Sequence, residues 1–134
     1  MKIRVKPAKR GNASGLHRKV LALLQEAFPS YTIHEEATLD AGYRRLLSVD
    51  LCMPDLKLCI EVHGRQHFEF VPHFHKSPDE YHDQQRRDKS KAQEVARMGY
   101  KMMVVRFDEI DTLTRAELVQ RVAKAMKETS SGED

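Results

Sequence analysis

The stretch 48–68, SVDLCMPDLKLCIEVHGRQHF, constrains the fold more than any other. Leu47, Val49, Leu51 and Met53 alternate with Ser48, Asp50 and Cys52. After Pro54-Asp55, Leu58, Ile60 and Val62 alternate with Lys57, Cys59, Glu61 and His63. Successive side chains on a strand point to opposite faces, and Pro-Asp supplies a turn, so the stretch reads as a β-hairpin followed by a break at Gly64 and a polar cluster. A loop centred on Asp55-Leu56 puts Asp50 opposite Glu61, Ser48 opposite His63 and Cys52 opposite Cys59. Directly opposed side chains have Cβ atoms about 4.5–5.5 Å apart. Two carboxylates that close repel unless something positive lies between them. A divalent ion with oxygen ligands at about 2.0–2.6 Å fits that gap. The alternative is that both acids sit on a solvated sheet face.

The 134 residues suit one domain, and 40% hydrophobic with 32% charged residues fits a soluble globular chain. No apolar run approaches the length of a membrane span and no secretory core follows Met1, so the expectation is a cytoplasmic protein without a membrane partner. Cys52 and Cys59 would then be free thiols, although their opposition would also permit a cross-strand disulfide. They do not make a zinc site by themselves. A net charge of +3 permits nucleic-acid binding without requiring it. Its distribution is more telling: Lys2, Arg4, Lys6, Lys9 and Arg10 precede Gly11-Asn12-Ala13-Ser14-Gly15. Residues 1–13 therefore read as a basic flexible arm of the kind that tracks phosphates.

The rest of the chain alternates helix and strand. Ser14 can cap a helix whose apolar stripe is Leu16, Val20, Leu23, Leu24 and Ala27, ended by Pro29. Residues 31–38 have strand character and are expected at the sheet edge, with Glu35 or Glu36 near the acid pair. Arg44 and Arg45 precede the hairpin as candidate phosphate contacts. Ser77-Pro78-Asp79-Glu80 is a helix start, and Gly99 is the stop. On that helix Tyr81, Ala92, Val95 and Met98 face inward, while Gln84, Asp88 and Lys91 share another face. Residues 100–107 read as a buried strand, and Thr114 caps a last amphipathic helix. The tail 129–134 is expected to be disordered. His73, His75 and His82 read as a loop lining a groove, in preference to a structural zinc site. The order α-β-β-β-α-β-α implies a single α/β domain over 14–128, a mixed sheet with a central hairpin flanked by helices.

The stretch VDLCMPDLKLCIEVHGRQHF resembles the core of the PD-(D/E)XK nuclease superfamily, and in particular its very-short-patch-repair-like branch, which includes phage-type homing endonucleases. Glu61-Val62-His63-Gly64, Gln66-His67-Phe68, Arg87-Asp88, Gly99-Tyr100 and Val105-Arg106-Phe107 carry the likeness in order. The resemblance implies a restriction-endonuclease-like core and Mg²⁺, with Mn²⁺ as a substitute, held by Asp50, Glu61 and the carbonyl of Val62. It implies catalytic roles for His63, where many members have Lys, and for Gln66 and His67. His17 stands where relatives carry Glu on the first helix. Lys2, Arg4, Lys6, Lys9, Arg10, Arg44, Arg45, Arg65, Gln84, Arg87 and Lys91 become candidate DNA contacts. The structural zinc of the repair nickases is not carried over, because the cysteines that hold it are missing. The implied function is metal-dependent cleavage of DNA: nicking, structure-selective, junction-resolving or homing. A resolvase would need a homodimer, and a short recognition surface would borrow specificity from a partner protein. A phage-encoded chain would act in the host-cell cytoplasm. The alternative is a catalytically inactive nucleic-acid-binding module on the same fold, favoured by His17 in place of Glu and by the missing Lys after Glu61.

Overall fold

The computed structural model describes residues 2–5, 15–40, 42 and 46–131. Along the described residues the elements are β1 (Lys2–Val5), α1 (Gly15–Ala27), β2 (His34–Asp40), β3 (Leu46–Met53), β4 (Leu58–His63), α2 (Pro78–Arg97), β5 (Lys101–Arg106) and α3 (Arg115–Ser131). The strands form one mixed sheet in the order β1-β2-β3-β4-β5, antiparallel except for the parallel β4–β5 pair. The expected α/β class, with its central hairpin between helices, is the observed one. The α2 crossover between β4 and β5 is what a parallel pair requires.

The hairpin has the register its alternation implies: Leu51–Ile60, Cys52–Cys59 and Met53–Leu58 are paired. Its loop is a single 3-10 turn, Pro54–Leu56, closed by Lys57 in the left-handed region. Two expectations at the termini are corrected. Lys2–Val5 is not a flexible arm but a strand paired with β2, from Lys2–Asp40 to Val5–Ala37. Ile3 and Val5 alternate with Lys2 and Arg4, which is a strand period, and β2 offers them an unpaired edge. β2 is therefore internal and β1 is the edge, which adds a strand ahead of the expected order. At the other end, α3 continues to Ser131, so 129–131 are helical and not a disordered tail. Residues 6–14 and 132–134 lie outside the described residues, as do Ala41 and residues 43–45.

Two apolar layers hold the sheet. Leu51, Met53, Leu58 and Ile60 pack with Leu16, Val20 and Leu24 of α1 and with Leu118 and Val122 of α3. On the other face Ala37, Leu39, Val49, Cys52 and Cys59 pack with Val95 of α2 and with Tyr100. Strict alternation would put Val49 with Leu51, yet the two lie in different layers. The change of phase falls at Asp50. Pairs Glu35–Leu51 and Ala37–Val49 flank this level, and on β2 it holds Glu36 with φ 48°. A left-handed non-glycine residue costs energy; Lys57 adopts it to close the hairpin turn, and Glu36 adopts it at the level of the acid pair.

The helix ends obey local chemistry. Ser77 Oγ accepts from the Glu80 N–H at 3.4 Å with Pro78 at the first position, and Gly99 turns the chain at φ 82°. Among the described residues no helix is long and apolar enough to cross a membrane. Cys52 and Cys59 are free and fully buried; the hydrogen bond between them, with burial adding to it, pushes the Cys59 thiol up, and the same bond holds the Cys52 thiol down against burial. Full burial denies a reagent access to either sulfur, so both cysteines are expected to resist an aromatic disulfide reagent in the native protein. Both should titrate on unfolding in denaturant. Rapid native labelling would contradict this burial.

Candidate active site

The backbone ladder of the hairpin stops one pair short of the acids, and side chains complete it. The Asp50 N–H donates to Glu61 Oε2 at 2.9 Å, and the Val62 N–H donates to Asp50 Oδ2 at 2.7 Å. Each strand thus satisfies a carboxylate of the other, and one oxygen of each acid is spent on holding the pair together. Glu61 Oε1 accepts from Lys91 Nζ, which reaches across from α2. Glu61 is 6% exposed, so its charge is largely desolvated. Asp50 responds to its surroundings: its carboxyl is pushed up from 3.8 to about 6, by burial first and by the Glu61 charge second. The Val62 N–H and His17 pull it the other way, too weakly to win.

Such a pair suits a hard divalent cation. A half-buried and a buried carboxylate, Asp50 and Glu61, with their hairpin-facing oxygens already satisfied, are oxygen donors with excess negative charge. The Glu61 charge, second to burial among the causes that raise the Asp50 carboxyl, is in keeping with that excess. Asp50 and Glu61 therefore fit the Mg²⁺ expectation. Val62 contributes its N–H to Asp50 and lines the same cavity.

That cavity, of about 560 Å³, is lined by Glu36, Asp50, Glu61, His63, His67 and Lys91 among others. His63 ends β4 and is buried, and burial followed by the nearby His67 holds its imidazole below the ordinary range. Its ring stacks on His67 with centroids 3.9 Å apart and planes 11° apart. His67 sits on the 3-10 turn Arg65–His67, and its Nδ1 lies 2.7 Å from Asp88 Oδ2 on α2. His63, His67 and Asp88 bring one ligand atom each within 4.8 Å of the others. The rings are stacked, however, so their in-plane lone pairs lie in two nearly parallel planes. A tetrahedral metal needs them to converge. The arrangement suits proton transfer better than coordination.

The remaining sequence candidates divide. Gln66 turns away: a Cβ at Gly64 would meet Gln66 Oε1 at 2.5 Å, so the side chain lies over the glycine. Gly64 itself has φ −72° and ψ 178°, so it is not required for a positive φ, and a Cβ there would displace only the end of the flexible Gln66 side chain. His17 is buried on α1 with Nε2 3.1 Å from Glu35 Oε1, and its charge pulls the Asp50 carboxyl down. Glu36, of the two acids considered, is the one that lines the cavity. Lys91 faces Glu61, and Gln84 faces the histidines. Arg87 is exposed on α2. Arg65 pairs with Glu69 and lies over the Phe107 ring at 5.2 Å. Lys2 and Arg4 fall on β1, whereas Lys6, Lys9, Arg10, Arg44 and Arg45 lie outside the described residues. His73, His75 and His82 part company: His75 is buried, while His73 packs edge-on to Phe74 and His82 lies beside Tyr81. The Lys91–Glu61 contact was missed by sequence reasoning. Its one local signal is the shared helix face of Gln84, Asp88 and Lys91.

Fold and site together define an α/β chain in which half-buried Asp50, buried Glu61 and the imidazoles of His63 and His67 line one cavity, with Asp88 bonded to His67 behind it. No family model matches the chain, and no solved structure matches it. Over 45 residues it is 47% identical to Uncharacterized protein 307L of Invertebrate iridescent virus 6. That stretch covers 34% of this chain and 23% of the viral protein.

Proposed function

We propose that this chain is a metal-dependent endonuclease that hydrolyses phosphodiester bonds in DNA, and that it belongs to the very-short-patch-repair-like branch of the PD-(D/E)XK superfamily. The supporting observation is the reciprocal clasp of Asp50 and Glu61 in a cavity shared with His63 and His67. Held by Asp50 and Glu61, Mg²⁺, or Mn²⁺ in its place, supplies charge stabilisation at the phosphoryl oxygens. His67 takes the proton of the attacking water at a ring nitrogen, while Asp88 orients the ring and stabilises the cation that forms. His63, kept neutral by burial, stacks on that ring and limits its rotation. The exposed Arg65 and Arg87 supply salt-sensitive attraction to the phosphate backbone. The site of action is the cytoplasm, with strand choice set by a homodimer or a partner protein.

A second reading is favoured by one observation. Lys91 already neutralises Glu61, as it would in a binding module that no longer cuts. Supercoiled plasmid, linear duplex, mismatched duplex, flap and four-way junction should be incubated with the protein and Mg²⁺ or Mn²⁺. Cutting of any of these, suppressed by EDTA, is the expected result. Gel-shift binding without cutting would install the second reading. Neither binding nor cutting would remove both.

A further inference from the structure

His75 is a buried titratable group that the chemistry above leaves unused. It is 3% exposed, lies between the rings of Phe70 and Tyr81, and sits in the turn where its own N–H donates to Val71 O at 2.9 Å. The Val71 N–H lies 3.1 Å from His75 Nδ1. A backbone N–H can only donate, so Nδ1 is the lone-pair atom and the neutral ring carries its proton on Nε2. That proton is donated to Gln84 Oε1 at 2.7 Å. The amide of Gln84 is thereby oriented, since its oxygen is committed to His75. Its NH₂ group faces the His67 ring, 3.4 Å from Nε2 and 3.5 Å from Nδ1. On its other side His67 Nδ1 meets an acceptor, Asp88 Oδ2, at 2.7 Å. The near-equal distances put the amide over the ring face: its partly positive NH₂ disfavours a proton on Nε2, while the Asp88 carboxylate takes the one on Nδ1, so the state that fits is proton on Nδ1, lone pair on Nε2.

We propose that His75 and Gln84 are positioning residues for His67, a chain of donor and acceptor constraints that starts at the Val71 N–H and keeps His67 Nε2 as the basic atom. The catalytic consequence rests on the endonuclease reading, whereas the tautomers are properties of the folded protein itself. A glutamine that was free to rotate would offer His67 its oxygen half of the time and so invite a proton onto Nε2. His75 removes that freedom. The buried histidine therefore does not bind metal or substrate. It sets which way an amide points two contacts from the reaction.

The test is long-range ¹H–¹⁵N correlation of the histidine rings in uniformly labelled, metal-free protein at neutral pH. The expected result is His75 protonated on Nε2 and His67 protonated on Nδ1. In His75→Phe, which keeps the ring volume but drops both bonds, His67 should lose its single-tautomer signature and show protonation at Nε2. Gln84→Glu presents an acceptor to both histidines and should do the same without touching the buried ring, so it carries the test if His75→Phe folds poorly. Cleavage by Gln84→Glu should fall on the order of 10²-fold with DNA affinity retained, the scale of a misplaced general base. An Nε2 proton on His67 in the wild type would overturn the proposal. So would a His67 signature that neither variant moves. Absence of cleavage by the wild type, with the tautomers as assigned, would instead count against the endonuclease reading alone.

Discussion

Asp50→Asn is expected to make the metal-free protein more stable at pH 7 while abolishing cleavage. In the folded chain the Asp50 carboxyl is raised from 3.8 to about 6, with burial the first cause and Glu61 the second. A raised acid binds its proton more tightly folded than unfolded. Its contribution to stability is fully present below pH 3.8 and is lost as pH rises through about 6. Above that window the ionised group costs the fold about 3 kcal/mol. Asn keeps an acceptor for the Val62 N–H and removes the charge that opposes Glu61. In EDTA the variant should therefore gain about 2–3 kcal/mol at pH 7, or roughly 5–10 °C in Tm. The gain should shrink towards zero as the pH is lowered to 4, where the wild-type carboxyl is itself protonated. Denaturant melts of both proteins across pH 4–8 check this. Equal stability at pH 7 would mean that the acid pair is not strained. Activity should fall at least 10²-fold, because an amide is a poorer partner for a divalent cation than a carboxylate. Strain that function requires and stability resists is the usual mark of an active site.

How much of this was readable in the residues depends on the range of the interactions. The hairpin register followed from period-two alternation and Pro54-Asp55, both local, and the observed pairs Leu51–Ile60 and Cys52–Cys59 agree. The start of α2 followed from Ser77, Pro78 and Glu80, whose effects are also local. β1 was harder. Lys2-Ile3-Arg4-Val5 alternates, but in so short and charged a segment the strand exists only because β2 leaves an edge to pair with. The phase change at Asp50 had no signal, since nothing in the residues around Glu36 announces a left-handed φ. That change lets Glu35 meet His17 under α1 while Ala37 packs in the α2 layer, so two neighbouring odd positions serve opposite faces. The meeting of Asp50 and Glu61 across the hairpin therefore followed from local pattern. Lys91, which meets Glu61, Asp88, which meets His67, and His17, which meets Glu35, come from helices, and the exact contacts each makes were set by packing between layers.

The second large effect is expected from Lys91→Met, and its sign should depend on metal. Lys91 Nζ is the cation that Glu61 faces, and Glu61 is 6% exposed. Removing one partner of a buried pair leaves the other charge uncompensated, which typically costs about 3–5 kcal/mol. The Lys91 side chain is 27% exposed, so water already screens the pair and the expected loss is nearer about 2–3 kcal/mol in EDTA. Met retains most of the aliphatic stem, so the loss reports the charge and not the packing. With Mg²⁺ added the order should change. In the wild type an entering cation competes with the ammonium for Glu61, and in the variant it does not. Mg²⁺ should then bind the variant on the order of tenfold more tightly, a gain of about 1.4 kcal/mol. Saturating Mg²⁺ should raise the variant's melting temperature more than that of the wild type, because a ligand that binds only the native state stabilises it by mass action. Thermal melts in EDTA and across a Mg²⁺ titration, with isothermal calorimetry for affinity, measure both arms. A variant destabilised in EDTA and not rescued by Mg²⁺ would show that Lys91 is the permanent counter-ion of Glu61, as the binding-module reading requires. A variant rescued by Mg²⁺ would show that the ammonium is a placeholder, and that the pair Asp50–Glu61 is built to exchange it for a metal.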